Sequence, residues 1–135
     1  MPKQSGKKFE MSPQIKRKIP KIVAYVFAIW TLQSVEHHFS EEGASSTSNY
    51  LMTPHAAQVI SIFRMLGLGN ENHTDDALSN HMVQIKTGEG KSITLGVTSA
   101  TLALLGADVY CGCYSQHLSK RDEADFKNLF CELDL

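Results

Sequence analysis

Apolar residues are spread unevenly along the chain, and their spacing changes character from one stretch to the next. Ile22 to Leu32 (IVAYVFAIWTL) is almost continuously apolar and follows Pro20, a favoured first helical position. The pattern predicts a buried helix opening at Pro20, with no packed element before it. Ser40 to Asn49 (SEEGASSTSN) is small and polar, which predicts an exposed linker. From Pro54 onward, Ala57, Ile60, Phe63 and Met65/Leu66 recur at helical spacing until Gly67 and Gly69 stop the pattern. Asn70 to Asn80 (NENHTDDALSN) reads as loop. His81 to Lys86 (HMVQIK) and Asp108 to Cys113 (DVYCGC) are strand candidates. Between them lie a glycine-rich stretch, Thr87 to Ser92, and an apolar helical run, Ile93 to Leu105, ended by Gly106. Ser115 to Leu133 is amphipathic, with Leu118, Phe126, Leu129 and Phe130 toward a core. Strand, loop, helix, strand, helix is the order of a right-handed βαβ unit, so the expected class is α/β with a parallel sheet.

Length and charge narrow this picture. The chain has 135 residues, enough for one core, with 13 Lys+Arg against 14 Asp+Glu. That balance removes the whole-chain electrostatic case for a nucleic-acid partner. The basic residues concentrate early, in Lys3, Lys7, Lys8, Lys16, Arg17, Lys18 and Lys21. A basic leader before an apolar run copies the layout of a signal peptide. However, about eleven apolar residues fall well short of the ~20 that span a bilayer, and Glu36, His37 and His38 stand where small cleavage-site residues would be needed.

The remaining reactive side chains take structural readings. Three cysteines at 111, 113 and 131 do not suggest a disulfide framework and point to a reducing, cytoplasmic setting. Cys111 and Cys113, two apart on a strand, would be buried thiols facing one side of a sheet. His37 and His38 would favour the C-terminal dipole of their helix. Tyr25, Phe27 and Trp30 read as core, because an isolated helix of that length needs packing to persist.

The chemistry sits in Thr87-Gly88-Glu89-Gly90-Lys91-Ser92. A polyphosphate must be met by converging backbone N–H groups, and glycines let the chain approach closely and turn. Gly88 and Gly90 supply that freedom, and a helix opening near Lys91 adds its unpaired N–H groups and positive dipole end. Lys91 would reach β- and γ-phosphate oxygens, and the Ser92 hydroxyl would join the Mg²⁺ shell. The general pattern G-x-x-x-x-G-K-[ST] is incomplete, since Ile85 occupies the place of its first glycine.

Three segments resemble the SecA preprotein translocase ATPase family. Gln84 to Ser92 (QIKTGEGKS) is similar to its Walker A segment, which also lacks that first glycine. His117 to Glu123 (HLSKRDE) resembles its Tyr-Leu-Ala-x-Arg-Asp-Ala segment at the same distance downstream, although Ser115-Gln116 replaces Asn-Asp. Pro54 to Gln58 (PHAAQ) resembles the stretch whose glutamine contacts adenine. The resemblance implies a partial P-loop NTPase, RecA-like in its sheet. Residues 1–50 would form a basic leader, helical arm and polar linker, and residues 51–135 the N-terminal part of a SecA DEAD-like ATP-binding domain.

By that resemblance Gln58 contacts the base, Thr87, Gly88, Glu89, Gly90, Lys91 and Ser92 hold the phosphates of ATP, and Ser92 ligates Mg²⁺. The same resemblance implies protein translocation or targeting of an unfolded polypeptide, in the cytoplasm or peripheral to a membrane. Hydrolysis in this class needs a second acidic motif and usually an arginine from a second domain. Neither precedes Leu135, so the expectation is ATP binding without independent turnover. The alternative is a non-catalytic nucleotide-binding or regulatory module. A small kinase ranks below both, because about eighty residues precede the loop and Arg121 is the sole arginine after it.

Overall fold

The computed structural model describes residues 9–41, 53–69, 78 and 80–135. Four helices organise them: α1 (Pro13–Glu41), α2 (Ala56–Met65), α3 (Lys91–Leu104) and α4 (Gln116–Glu132). Helix α1 opens seven residues earlier than the apolar run indicates. The Oγ of Ser12 accepts from the Ile15 N–H at 3.4 Å, and Pro13 stands in the first turn, where its missing N–H costs nothing. Pro20 therefore lies inside α1, and the leader contributes Met11 and Ile19 to the core, both fully buried.

The core draws on every helix: Ile19, Val23, Val26 and Phe27 of α1, Ile62 of α2 with Leu66 just after it, Val97 and Ala100 of α3, and Phe126 and Leu129 of α4. Of the aromatic residues in the apolar run, Phe27 is buried and Trp30 packs against the core. Tyr25 is exposed, with the Lys21 ammonium over its ring at 5.7 Å. Helix α3 is central and touches α1, α2 and α4. It is rich in hydroxyls, and burial forces each to find an acceptor. Thr94, Thr98, Ser99 and Thr101 each donate to the carbonyl four residues back, at 2.7–3.2 Å. At Gly96 the Phe126 ring of α4 lies so close that a Cβ would come within 2.5 Å of it.

The expected α/β class with a parallel sheet is corrected here: among the described residues there are four helices and no strand. The two strand candidates carry no regular secondary structure. Over residues 80–86 exposure alternates, with His81, Val83 and Ile85 half-buried and Met82, Gln84 and Lys86 exposed. That is the period of a strand, but no backbone hydrogen bond among the described residues joins 81–86 to 108–113. Periodicity registers which side faces the interior, whereas a strand also needs a paired neighbour. The cysteine reading changes with it, since Cys111 is exposed and Cys113 half-buried, with no sheet to cover either. The linker at 42–49, most of the 70–80 loop and Lys3, Lys7 and Lys8 lie outside the described residues, as do the side chains of His37 and His38.

Candidate nucleotide-binding site

Residues 86–90 turn the chain from the segment at 80–86 into α3. The Glu89 N–H donates to the Lys86 carbonyl at 3.3 Å, closing a turn whose third residue, Gly88, stands at φ +87°. Gly90 follows at φ +74° as the N-cap of α3. Both values fall in the left-handed region that an L side chain enters only with strain. The two glycines face different surroundings. A Cβ at Gly88 would meet nothing within 4 Å, whereas one at Gly90 would overlap the Gln58 amide. The loop is thus packed on its inner side and open on its outer side.

Gln58 reaches this loop from α2. Its Oε1 accepts from the His55 N–H at 3.0 Å, tying down the start of the helix, and its Nε2 donates to the Glu89 carbonyl at 3.0 Å. The side chain is buried, and both ends of its amide are engaged. Lys91 folds back over the turn, its Nζ donating to the carbonyls of Lys86 at 3.0 Å and Ile85 at 3.4 Å. Thr87, Gly88, Glu89 and Lys91 are exposed. The first N–H groups of α3 have no partner within the helix, as at any helix start. The structure thus brings Gln58 together with residues 87–92, from 31 positions away in the chain.

A second contact was not assigned from the sequence. Ser92 Oγ donates to Asp122 Oδ1 at 3.1 Å and accepts from Arg121 Nη2 at 3.1 Å. Arg121 also grips Asp122 directly, at 2.6 Å through Nη2 and 3.0 Å through Nε. The Arg121 hydrogen bonds hold the Asp122 carboxyl below the usual carboxylate range, against the opposing effect of its partial burial, with a further contribution from Ser92. The same partnership raises the Arg121 guanidinium above its ordinary value. On the other carboxylate oxygen, Cys113 Sγ lies 3.9 Å from Asp122 Oδ2. The signal available in the sequence was the Arg121-Asp122 pair inside the downstream segment. Only the packing of α4 on α3 shows that this pair meets the hydroxyl after Lys91. No group of three or more His, Cys, Asp or Glu that could hold a metal ion occurs among the described residues.

The donor set fits a nucleotide phosphate. It combines two left-handed glycines with open space on one side, a helix start, a lysine at the mouth and a hydroxyl placed beside them. No curated protein and no solved structure matches the chain. A family model described as the SecA DEAD-like domain matches residues 7–135, a span that takes in α1 as well as the loop and α4. With nearly its whole length so matched, the chain belongs to the SecA DEAD-like domain family, a family related to SecA and to nucleotide binding.

Proposed function

We propose that the chain binds ATP with Mg²⁺ through the loop at 87–92. The observation that carries this reading is the pair of left-handed glycines leading into α3, with Lys91 and Ser92 as the first two helical residues. The N–H groups at the start of α3 would meet phosphate oxygens, and Lys91 would exchange its carbonyl partners for them. Thr87, Gly88, Glu89 and Gly90 would wrap the phosphates with backbone. Gln58, adjoining Gly90, would stand at the base-proximal side of the loop. Mg²⁺ would supply charge neutralisation between phosphates, with the Ser92 hydroxyl as its protein ligand. The further reading, that nucleotide binding serves movement or targeting of an unfolded polypeptide at a translocation partner, rests on family membership alone. No helix among the described residues is long and apolar enough to cross a membrane.

The test is titration of a fluorescent ATP analogue against the wild type and Lys91→Ala. A charge-assisted hydrogen bond contributes about 1.5–3 kcal/mol, so the substitution should weaken binding by roughly tenfold or more. Equal affinity of the two proteins would remove the phosphate-loop assignment.

A further inference from the structure

Ser92 stands apart from every other hydroxyl of α3. Thr94, Thr98, Ser99 and Thr101 donate to the carbonyl four residues behind them, the default for a serine or threonine inside a helix. Ser92, the second residue of α3, has only Gly88 of the preceding turn four positions behind it, and donates instead to Asp122 Oδ1, thirty residues away on another helix. A hydroxyl has one proton and two lone pairs. In this arrangement the proton is given to Asp122 and one lone pair takes Arg121 Nη2. One lone pair remains.

We propose that Asp122 is a positioning residue for the metal–nucleotide site: by accepting the Ser92 proton it directs the remaining lone pair of the hydroxyl toward Mg²⁺. The inference rests on the nucleotide-binding reading above and extends it to a residue of α4. Several observations favour a role beyond surface ion pairing. Asp122 keeps only 18% side-chain exposure, against 49% for Arg121. The Oδ1 atom that Arg121 grips is the one that Ser92 reaches. An exposed pair of neighbours in sequence would hold together without any contact to α3, yet here the carboxylate is turned inward onto the loop. Carboxylates that orient a metal ligand commonly affect metal affinity by about 10–100-fold.

The experiment titrates a fluorescent ATP analogue against the full chain in Mg²⁺ and, separately, in EDTA. Wild type, Asp122→Ala, Asp122→Asn and Lys91→Ala are compared, and the melting temperature of each is recorded without nucleotide. Asp122→Ala should lose about tenfold or more of the affinity gained from Mg²⁺ while matching the wild type in EDTA. Asp122→Asn, which is isosteric and retains a weaker acceptor, should show a smaller loss in the same direction at a wild-type melting temperature. It carries the test if the alanine variant does not fold. Two results would overturn the proposal: a Mg²⁺ gain undiminished in both Asp122 variants, or an equal loss in Mg²⁺ and EDTA, which would mark a purely structural contact. Absence of Lys91-dependent binding by the wild type would sink the underlying nucleotide reading together with this one. Failure confined to the Asp122 variants would leave that reading standing.

Discussion

Gly90 carries two separate constraints, and they can be told apart by comparison with Gly88. Both adopt positive φ, so alanine at either position enters the left-handed region at a cost of about 1–2 kcal/mol. Only at Gly90 does the new methyl also meet the Gln58 amide, whose hydrogen bond to the Glu89 carbonyl holds α2 against the loop. Gly90→Ala should therefore lower stability more than Gly88→Ala, and urea denaturation of the two variants checks the order. Equal losses would mean that strain alone is felt and that the Gln58 contact yields freely. The requirement for glycine was legible in the sequence, as was the grouping of Lys91 and Ser92. The close approach of Gln58 was not, because it joins residues 31 positions apart in the chain.

The helices begin and end where local chemistry directs them. Helix α4 starts at Ser115, whose hydroxyl accepts from the Leu118 N–H at 3.3 Å. Replacing Ser115 by alanine should cost about 1 kcal/mol, measured as a shift in the denaturation midpoint. No change would show that another group satisfies that N–H. Helices α2, α3 and α4 fall close to their expected spans, since periodicity and terminal residues are local signals. Helix α1 departs from its expected start because Ser12 and Pro13 form a good opening turn that the apolar run alone does not register. The segments at 81–86 and 108–113 show the opposite limit. At 81–86 the alternation is correct as a record of burial, whereas at 108–113 only Val109 and Cys113 are half-buried and the rest is exposed; in both, pairing depends on what chain lies alongside.

Packing around α3 joins the site to the core. Phe126 fills the space that Gly96 leaves open, and through that contact α4 presents Arg121 and Asp122 to Ser92. Gly96→Ala should raise local helix propensity by about 1 kcal/mol, while forcing the Phe126 ring aside at about 1–3 kcal/mol. The expected net result is a lower melting temperature, and a rise would show that the ring moves without cost. Local sequence was sufficient for the helical spans of α2, α3 and α4, for the glycine turn and for the lysine and serine that follow it, because each depends on neighbours within a few positions. The tertiary structure decided the absence of a paired sheet among the described residues, the inclusion of Met11 and Ile19 in the core, and the meeting of Ser92 with Arg121 and Asp122. Those outcomes depend on which distant surfaces bury one another, a competition that no window of sequence contains.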